Sequence, residues 1–237
     1  MTAINQQLIL GIEATGSAVS VGISRQNEAL GELWLNPGQP GGQLLLGAVD
    51  QLITTCKIER EQFEGICVCQ GPGSFTGMRI ALATVSSLAF AFKLPIYTSD
   101  RLTLAAATLT YQPCKVRVIQ NAYKGELYHA AYDCTGKRPK AITPMELITP
   151  ENLLPTILPG EILLGEGVDL LLGQGFDLES TGVLIDRSPP RRPTALGLID
   201  LLSDQPAGVY DPIPLEPLYL RASEAEINYN IRFGDST

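Results

Sequence analysis

The order of the apolar segments constrains the fold of this chain more than any other feature of its sequence. Three short strands are predicted first, at residues 8–12, 19–24 and 28–35, from apolar or alternating runs. Strands at 65–69 and 95–98 then alternate with helices at 43–56, 76–92 and 100–111. This order of elements is typical of an α/β protein.

The second half of the chain begins in the same way. A strand at 116–120 and a strand at 126–132 are separated by a turn, and a third strand is predicted near 141–147. A helix from Pro150, a strand at 162–165 and a helix at 194–202 follow. An average domain has roughly 150 residues. We therefore expect two similar α/β lobes, residues 1–111 and 112–204, with segment 205–237 packed back on the first lobe and its last ten residues frayed.

The balance of charge argues against direct binding of nucleic acid. The sequence has 17 lysines and arginines against 25 aspartates and glutamates, a net charge of −8, and no basic cluster is larger than Arg191-Arg192. Affinity for nucleic acid comes largely from basic side chains that neutralise phosphates. Strong direct binding is therefore not expected, and a role on RNA would need a basic partner.

The cysteines and the single histidine exclude further kinds of site. Five cysteines are an odd number without the density of a disulfide scaffold, and no second pair joins Cys67 and Cys69 at zinc-site spacing. Because His129 is the only histidine, a metal site built on paired histidines, as in a metallopeptidase, is excluded. No basic flank precedes the apolar segment at Leu8, and no run approaches an uncharged membrane helix in length, so we expect a cytoplasmic protein without a membrane contact.

The most specific local motif is Gly71-Pro-Gly-Ser-Phe-Thr-Gly-Met-Arg, between a predicted strand and a predicted helix. Its glycines permit a tight turn, and Ser74 or Thr76 can cap the helix. Free amides at the start of the helix can bind an anion beside Arg79. The Gly-Lys-Ser/Thr of a Walker A loop is missing. The motif fits an anion or partner contact and equally a capped strand-to-helix turn.

The helix that follows this motif is rich in small residues. Positions without charge lie away from its main apolar stripe, which fits close packing within the lobe or contact with another subunit. The candidate interface residues on this helix and on the preceding one are Ile80, Ala83, Thr84, Ser87, Ala91, Leu45 and Val49.

These segments resemble the signature of the TsaB family. The matching segments are Leu8-Ile-Leu-Gly-Ile-Glu-Ala-Thr-Gly, the Gly71 motif with its helix, Pro95-Ile-Tyr-Thr-Ser-Asp-Arg-Leu, Gly125-Glu-Leu-Tyr and Pro217-Leu-Tyr-Leu-Arg. The resemblance implies an actin/Hsp70-like (ASKHA) fold of two ribonuclease-H-like lobes. It also implies a non-catalytic dimerisation subunit in the bacterial formation of threonylcarbamoyladenosine beside the anticodon of tRNAs.

The resemblance further implies the partners and cofactors. The partners would be the catalytic paralogue TsaD and the ATPase TsaE, with tRNA reached only through the complex and a homodimer as an option in isolation. ATP and magnesium would act in the complex, and this subunit would need no cofactor or metal.

The chain departs from the family pattern in three places. Glu13 stands where Asp is common, Asn121-Ala-Tyr replaces Asp-Ala-Arg, and Gln39-Pro-Gly-Gly-Gln replaces a segment that often holds a histidine. In active relatives of this fold the acidic residue at the first hairpin coordinates nucleotide-bound metal. An ATP-dependent small-molecule kinase or a threonylcarbamoyl transferase of the same fold is the alternative. The candidate anion or nucleotide contacts are Glu13, Thr15, Gly71, Gly73, Ser74, Thr76 and Arg79.

Overall fold

The first lobe is built on a five-stranded sheet. The computed structural model describes residues 3–36, 44–111, 113–186, 192–211 and 214–220. The strands of this sheet are β1 (Leu8–Glu13), β2 (Val19–Arg25), β3 (Glu28–Leu35), β4 (Gly65–Cys69) and β5 (Ile96–Ser99). They lie in the order β3-β2-β1-β4-β5, with β1, β2 and β3 antiparallel and with β4 and β5 parallel to β1. The predicted three-strand meander is confirmed.

The second sheet repeats the opening hairpin and has six strands. They are β6 (Lys115–Asn121), β7 (Leu127–Asp133), β8 (Lys140–Ala141), β9 (Glu146–Ile148), β10 (Ile162–Leu164) and β11 (Leu184–Ile185). Their order is β11-β10-β6-β7-β8, and β9 also pairs with β7. The third strand predicted at 141–147 is two short strands, β8 and β9, because Pro144 between them has no N–H to donate to the ladder.

Six α-helices connect or follow these strands in the described part of the chain. They are α1 (Leu45–Cys56), α2 (Phe75–Phe92), α3 (Arg101–Ala107), α4 (Pro150–Leu153), α5 (Glu166–Gly173) and α6 (Ala195–Leu202). The predicted start of α2 is wrong by one residue, because the hydroxyl of Ser74 accepts the N–H of Gly77 and so caps the helix before Phe75. The side chain of Asp100 caps α3 in the same way, by accepting the N–H of Thr103.

Helices cover both faces of the first sheet. Residues of α1 and α2 such as Val49, Leu52 and Val85 pack on one face. On the other face α6 approaches β1 and β2 closely, because a Cβ at Gly11 would lie 2.7 Å from the carbonyl oxygen of Ala195. Helix α6 therefore packs on the first sheet, although its sequence position lies in the predicted second lobe.

Helix α3 contributes to the cores of both lobes. Its Leu104 belongs to the cluster that α6 forms with the first sheet. Its Leu102 and Ala106 belong to the core of the second sheet, together with Val116 and Tyr132. The helix predicted to end near Tyr111 ends at Ala107, so its apolar residues occupy only two turns between the lobes.

The end of the described chain lies on the first lobe. We call residues 214–220 the C-terminal strap. The side-chain amide of Gln70 donates to the carbonyl oxygen of Glu216 (3.1 Å), and the N–H of Leu218 donates to the carbonyl oxygen of Gln70 (2.9 Å). Leu215 packs against the core of the first lobe, whereas Leu220 packs against the core of the second.

Several sequence predictions concern residues outside the described ranges. These are the start of the first helix at Gln43, the segment 39–43, the domain boundary at Gln112, the basic pair at Arg191, the family match at Arg221 and the frayed end at 228–237.

Helix α2 is, among the described residues, the one helix long and apolar enough to cross a membrane by length and composition alone. The expectation that no run approaches such a helix is corrected in this respect. One face of α2, with Leu82 and Val85, is packed in the core of the first lobe.

Candidate functional site

The Gly71 motif packs its turn directly against the backbone between β1 and β2. The N–H of Ser74 donates to the carbonyl oxygen of Thr15 over 2.7 Å. A Cβ at Gly73 would overlap that oxygen, and a Cβ at Gly77 would lie 2.5 Å from the carbonyl oxygen of Ala14. Gly71 itself has φ +113°, in the region that favours glycine. These glycines are therefore required for the turn to reach β1.

The motif also brings candidate residues of distant sequence together at the end of β1. Glu13 is 3% exposed, and its Oε1 accepts the N–H of Thr15 (2.9 Å) and the Thr15 hydroxyl. Gly73 and Ser74 lie against Thr15 on the other side. The backbone of Thr15 thus joins the Glu13 carboxylate to the turn before α2.

Arg101, which sequence reasoning missed, completes this cluster. Its Nη1 lies 3.5 Å from Oε1 of Glu13 and donates to the hydroxyl of Thr15 over 3.1 Å. A Cβ at Gly16 would overlap the guanidinium, so that glycine makes room for Arg101. The pair is nearly enclosed, with side-chain exposures of 11% for Arg101 and 4% for Glu13. We call Glu13, Thr15 and Arg101 the β1 cluster.

The β1 cluster does not fit a nucleotide-bound metal ion. The one carboxylate available there already faces a guanidinium, and a cation would have to displace Arg101 from its seat beside Gly16. No group of three or more His, Cys, Asp or Glu side chains that could hold a metal occurs among the described residues. Asn121, at the corresponding hairpin of the second lobe, uses its side-chain oxygen to accept the N–H of Tyr123 (2.7 Å) within the turn.

A cleft of about 510 Å³ opens between the lobes beside the β1 cluster. Its far wall carries the carboxylates of Glu166, Asp169 and Asp186. On the near wall the guanidinium of Arg192 lies 4.3 Å from the centre of the Trp34 ring. Three carboxylates on one wall disfavour a phosphate group by repulsion. The cleft has the size of a small-molecule site but not the charge of a phosphate site.

Arg79 and Thr76 lie outside the β1 cluster. Thr76 is exposed in the first turn of α2. The Nε of Arg79 donates to the hydroxyl of Tyr219 in the strap over 2.9 Å, and its guanidinium lies 3.9 Å from the centre of the Phe75 ring. The structure therefore divides the candidate anion residues between the β1 cluster with its turn and an exposed patch on α2.

The candidate partner surface lies on the outer sides of α1 and α2. Ala83, Ser87 and Ala91 are exposed, while Ile80 and Thr84 are half-buried. Val49 is buried but borders an apolar groove of about 350 Å³ between the two helices. The groove is also bordered by Leu46, Ile53, Leu88 and Phe92.

The predicted role of Leu45 in this surface is corrected by its position. Leu45 is fully buried in the core, because the apolar stripe of α1 that contains Leu45 and Leu52 faces the sheet. Its neighbour Leu46 is 61% exposed and borders the groove. Leu46 is therefore the residue of this turn that a partner can contact.

His129 belongs to a buried polar network in the second lobe. Its Nε2 lies 2.9 Å from a carboxylate oxygen of Glu146, and its Nδ1 lies 3.5 Å from Arg117. Arg117 forms a bidentate pair with Glu161 at 2.8 and 3.2 Å. Burial lowers the pKa of His129 from its ordinary value, with the Glu146 hydrogen bond acting in the opposite direction. No residue of this network borders the cleft between the lobes.

The buried cysteines are unsuited to nucleophilic chemistry. Burial raises the pKa of the Cys67 thiol far above its ordinary value. Burial, together with the nearby Glu13 carboxylate, raises the pKa of Cys69 to about 12. Both thiols are therefore protonated at neutral pH, and the thiolate is the nucleophilic form.

Known proteins resemble this chain over nearly its whole length. A family model described as TsaD, tRNA N6-adenosine threonylcarbamoyltransferase, matches residues 42–173. The tRNA threonylcarbamoyladenosine biosynthesis protein TsaB of Bacillus subtilis is 23% identical over 224 residues, which is 93% of this chain and 97% of the relative. The TsaB protein of Escherichia coli K12 is 29% identical over 126 residues, 52% of this chain and 54% of the relative.

Solved structures share the fold. A crystal structure from Pseudomonas aeruginosa, described as an uncharacterized protein with similarity to peptidase YEAZ, has a TM-score of 0.76 at 22% identity. It covers 91% of this chain and 100% of its own. A structure described as YeaZ from the same organism has a TM-score of 0.68 at 23% identity and covers 82% of this chain and 90% of its own.

The family match spans more than half of the 237 residues, and the Bacillus subtilis relative, which matches 93% of the chain, carries the TsaB name. The two sheets, each opening with a hairpin and flanked by helices, form the actin/Hsp70-like α/β fold of two ribonuclease-H-like lobes. The chain therefore belongs to the family that the TsaD model describes and, within it, to the TsaB family.

Proposed function

We propose that this chain is a non-catalytic subunit of the machinery that forms N6-threonylcarbamoyladenosine in tRNA. In this proposal it pairs with a TsaD-type catalytic subunit through the outer sides of α1 and α2. Among the curated relatives, one that matches 93% of the chain and one that matches 52% of it carry the TsaB name and a role in tRNA threonylcarbamoyladenosine biosynthesis. This likeness places the chain's function in the same pathway.

The observation that carries the proposal is the exposed apolar groove between α1 and α2. Leu46 stands 61% exposed at its edge, beside the uncharged outer side of α2 with Ala83 and Ser87. An apolar surface of this kind on a soluble protein marks a protein-binding site. The small side chains on α2 let a partner helix approach closely.

The geometry at the β1 cluster supports a non-catalytic role. Glu13, which would be the metal-binding acid of an active relative, is held by Thr15 and Arg101. Asn121 stands where a second acid would be needed and serves its own turn. The acids on the far wall of the cleft, Glu166, Asp169 and Asp186, would repel a bound phosphate.

The other partners of the proposal come from the family resemblance, and the charge of the chain bears only on its contact with tRNA. With a net charge of −8, this subunit would contact tRNA only as part of the complex, and a basic partner would supply the phosphate contacts. A TsaE-type ATPase is the third protein, with ATP and magnesium used by the complex rather than by this chain. We place the complex in the cytoplasm and expect the isolated chain to cover its groove by forming a homodimer.

Reconstitution tests the proposal. The purified chain, a TsaD-type protein and a TsaE-type protein are incubated singly and together with tRNA, the threonylcarbamoyl-adenylate precursor, ATP and magnesium. Threonylcarbamoyladenosine is then quantified by mass spectrometry of nucleosides. We expect product only when the TsaD-type protein is present, at a yield that rises when this chain is added. Product from this chain alone would support the transferase alternative, and ATP consumption with a small-molecule acceptor would support the kinase.

The surface is tested with Leu46→Arg. Leu158→Arg is the matched control, because Leu158 is also an exposed leucine but lies in the second lobe, away from the groove. Asp50, an acid that borders the same groove, is already paired with Arg60, so the new arginine would be buried without a free counter-charge. Such burial costs several kcal/mol, enough to weaken a micromolar complex at least a hundredfold. We expect Leu46→Arg to abolish co-elution with the TsaD-type protein and Leu158→Arg to preserve it. Equal co-elution of both variants would contradict the assigned surface.

A further inference from the structure

We propose that the surface along α2, from the groove beside the C-terminal strap to the cap of the helix at Lys93, binds a helix of the partner subunit through carboxylates at two points about four turns apart. This inference rests on the proposed function, because it specifies the chemistry of the partner that docks beside the α1–α2 groove. It is carried by two aromatic clusters, one near each end of α2, each of which holds a cation that pairs with no carboxylate of the described residues.

The first cluster lies at the start of α2. The rings of Phe75 and Tyr219 stack with centres 5.4 Å apart, and Arg79 donates its Nε to the Tyr219 hydroxyl. The guanidinium lies over the Phe75 ring, at 3.9 Å from its centre. Phe75 is 40% exposed and Tyr219 is 41% exposed. The cluster orients the arginine at the surface while leaving both of its Nη groups without a carboxylate among the described residues.

The second cluster lies at the end of α2. The Nζ of Lys93 is 4.4 Å from the centre of the Phe90 ring and 4.9 Å from the centre of the Tyr210 ring. Phe90 is 65% exposed. In the described parts of the chain no carboxylate forms an ion pair with Lys93 either. Each cluster therefore pairs a cation of α2 or of its cap with a tyrosine from the C-terminal part of the chain. The tyrosine is Tyr219 in the first cluster and Tyr210 in the second.

Next to the first cluster, α2 and the strap leave a groove that can admit a helix. A groove of about 410 Å³ separates α2 from the strap and is bordered by Leu82, Ala83, Ser86, Leu215 and Pro217. Small side chains on α2 let another backbone come close, and the leucines offer apolar contact. Tyr219 and Arg79 of the first cluster also border this groove. Glu216, the acid of the strap, borders the same groove but forms no ion pair with Arg79 in the described structure.

The spacing and the charge define the occupant. Arg79 and Lys93 are fourteen residues apart, which is about 21 Å along a helix axis. An acidic protein such as this one repels an acidic partner at most of its surface, so two cations on one edge, unpaired among the described residues, attract carboxylates there. Arginine held beside aromatic rings is also typical of binding hot spots. A nucleic-acid phosphate would be attracted by the same cations but would be repelled by the net charge of −8.

Charge reversal tests the inference. The double variant Arg79→Glu/Lys93→Glu is compared with Arg25→Glu/Lys140→Glu, which makes the same change in net charge at two exposed positions outside α2 and the strap. Affinity for the purified TsaD-type protein is measured by isothermal titration calorimetry at 50 and 300 mM salt, and folding by circular dichroism. Arg79→Gln/Lys93→Gln is measured in parallel, so that loss of the cations is separated from repulsion by the introduced carboxylates.

We expect the α2 charge reversal to weaken binding at least tenfold at 50 mM salt and clearly less at 300 mM salt, with the glutamine variant between it and the unchanged protein. The control variant should change the affinity less than twofold. Equal effects of the two charge reversals, or unchanged binding by the α2 variants, would overturn the inference while leaving the proposed function intact. If the unchanged protein does not bind the TsaD-type protein, both fail. If tRNA competes with the TsaD-type protein for binding to the unchanged protein but not to the glutamine variant, the cations bind nucleic acid. That result would also overturn the inference.

Discussion

Replacing Arg101 by methionine tests whether the β1 cluster stabilises the fold. Methionine keeps the length and much of the apolar contact of the arginine stem but removes the guanidinium that faces Glu13 at 3.5 Å. The Glu13 carboxylate, 3% exposed, would keep its two hydrogen bonds from Thr15 but lose the one cation that pairs with it among the described residues. Removing one partner of a buried ion pair typically costs about 3–5 kcal/mol.

The structure places the expected cost at the lower end of that range. The Arg101 side chain is 11% exposed, and the remaining Thr15 hydrogen bonds still stabilise the negative charge. We therefore expect a loss of about 3 kcal/mol in the free energy of unfolding. This is a large share of the roughly 5–15 kcal/mol that stabilises a typical domain.

A second variant separates the ion pair from packing. In Glu13→Gln/Arg101→Met the buried group is neutral, so that the penalty for an unpaired charge disappears and at least half of the loss should be recovered. Urea unfolding is followed by the fluorescence of Trp34, which borders the adjacent cleft and is the only tryptophan of the chain. The exposed Arg25→Met is the control and should change stability by less than about 0.5 kcal/mol. A loss below about 1 kcal/mol for Arg101→Met, or no recovery in the double variant, would refute this account of the cluster.

The remaining predictions concern the turn, the histidine and the groove. Gly73→Ala should destabilise by about 1–3 kcal/mol because its Cβ overlaps the Thr15 carbonyl, whereas Gly47→Ala in open space on α1 should stabilise by about 0.5–1 kcal/mol; thermal melting distinguishes them. The pKa of His129 is lowered in the folded protein, so the unfolded state binds the proton more readily and stability should fall as pH drops below about 6.5. His129→Gln should remove that part of the pH dependence, and identical pH profiles would refute it. For the groove, size-exclusion chromatography of the isolated chain should show a dimer that Leu46→Arg converts to a monomer; an unchanged elution volume would contradict this expectation.

The sequence predicts the parts of this fold that depend on local signals. Helix α2 is found within one residue of its predicted start, because Ser74 is a strong cap and no proline interrupts the helix. Helix α5 (Glu166–Gly173) is missed because it begins directly after Gly165 and ends at a glycine, which are the signals of a turn. Tertiary packing, which local patterns do not report, decides that α6 lies on the first sheet.

The candidate site is predictable only in part for the same reason. Glu13 and the Gly71 motif are recognisable in the sequence, but Arg101 is separated from Glu13 by 88 positions and reaches it only because Gly16 leaves space. The periodicity of α1 predicts an apolar stripe without showing which side of it faces the sheet, so that Leu45 is assigned to the surface although Leu46 occupies it. The cations at the two ends of α2 are recognisable as related only in the structure, where Tyr219 of the strap lies beside Arg79 and Tyr210 lies beside Lys93.

The position of α3 has a consequence for how the two lobes can be separated. Leu104 on one side of the helix completes the first core, and Leu102 and Ala106 on the other side complete the second. If the chain were cut after residue 111, the first fragment would keep apolar side chains of α3 that the core of the second sheet needs. Neither fragment would have a closed interior, and each would expose leucine or alanine to water. The two sheets are therefore expected to melt in one cooperative transition, even though each has its own hairpin and its own covering helices.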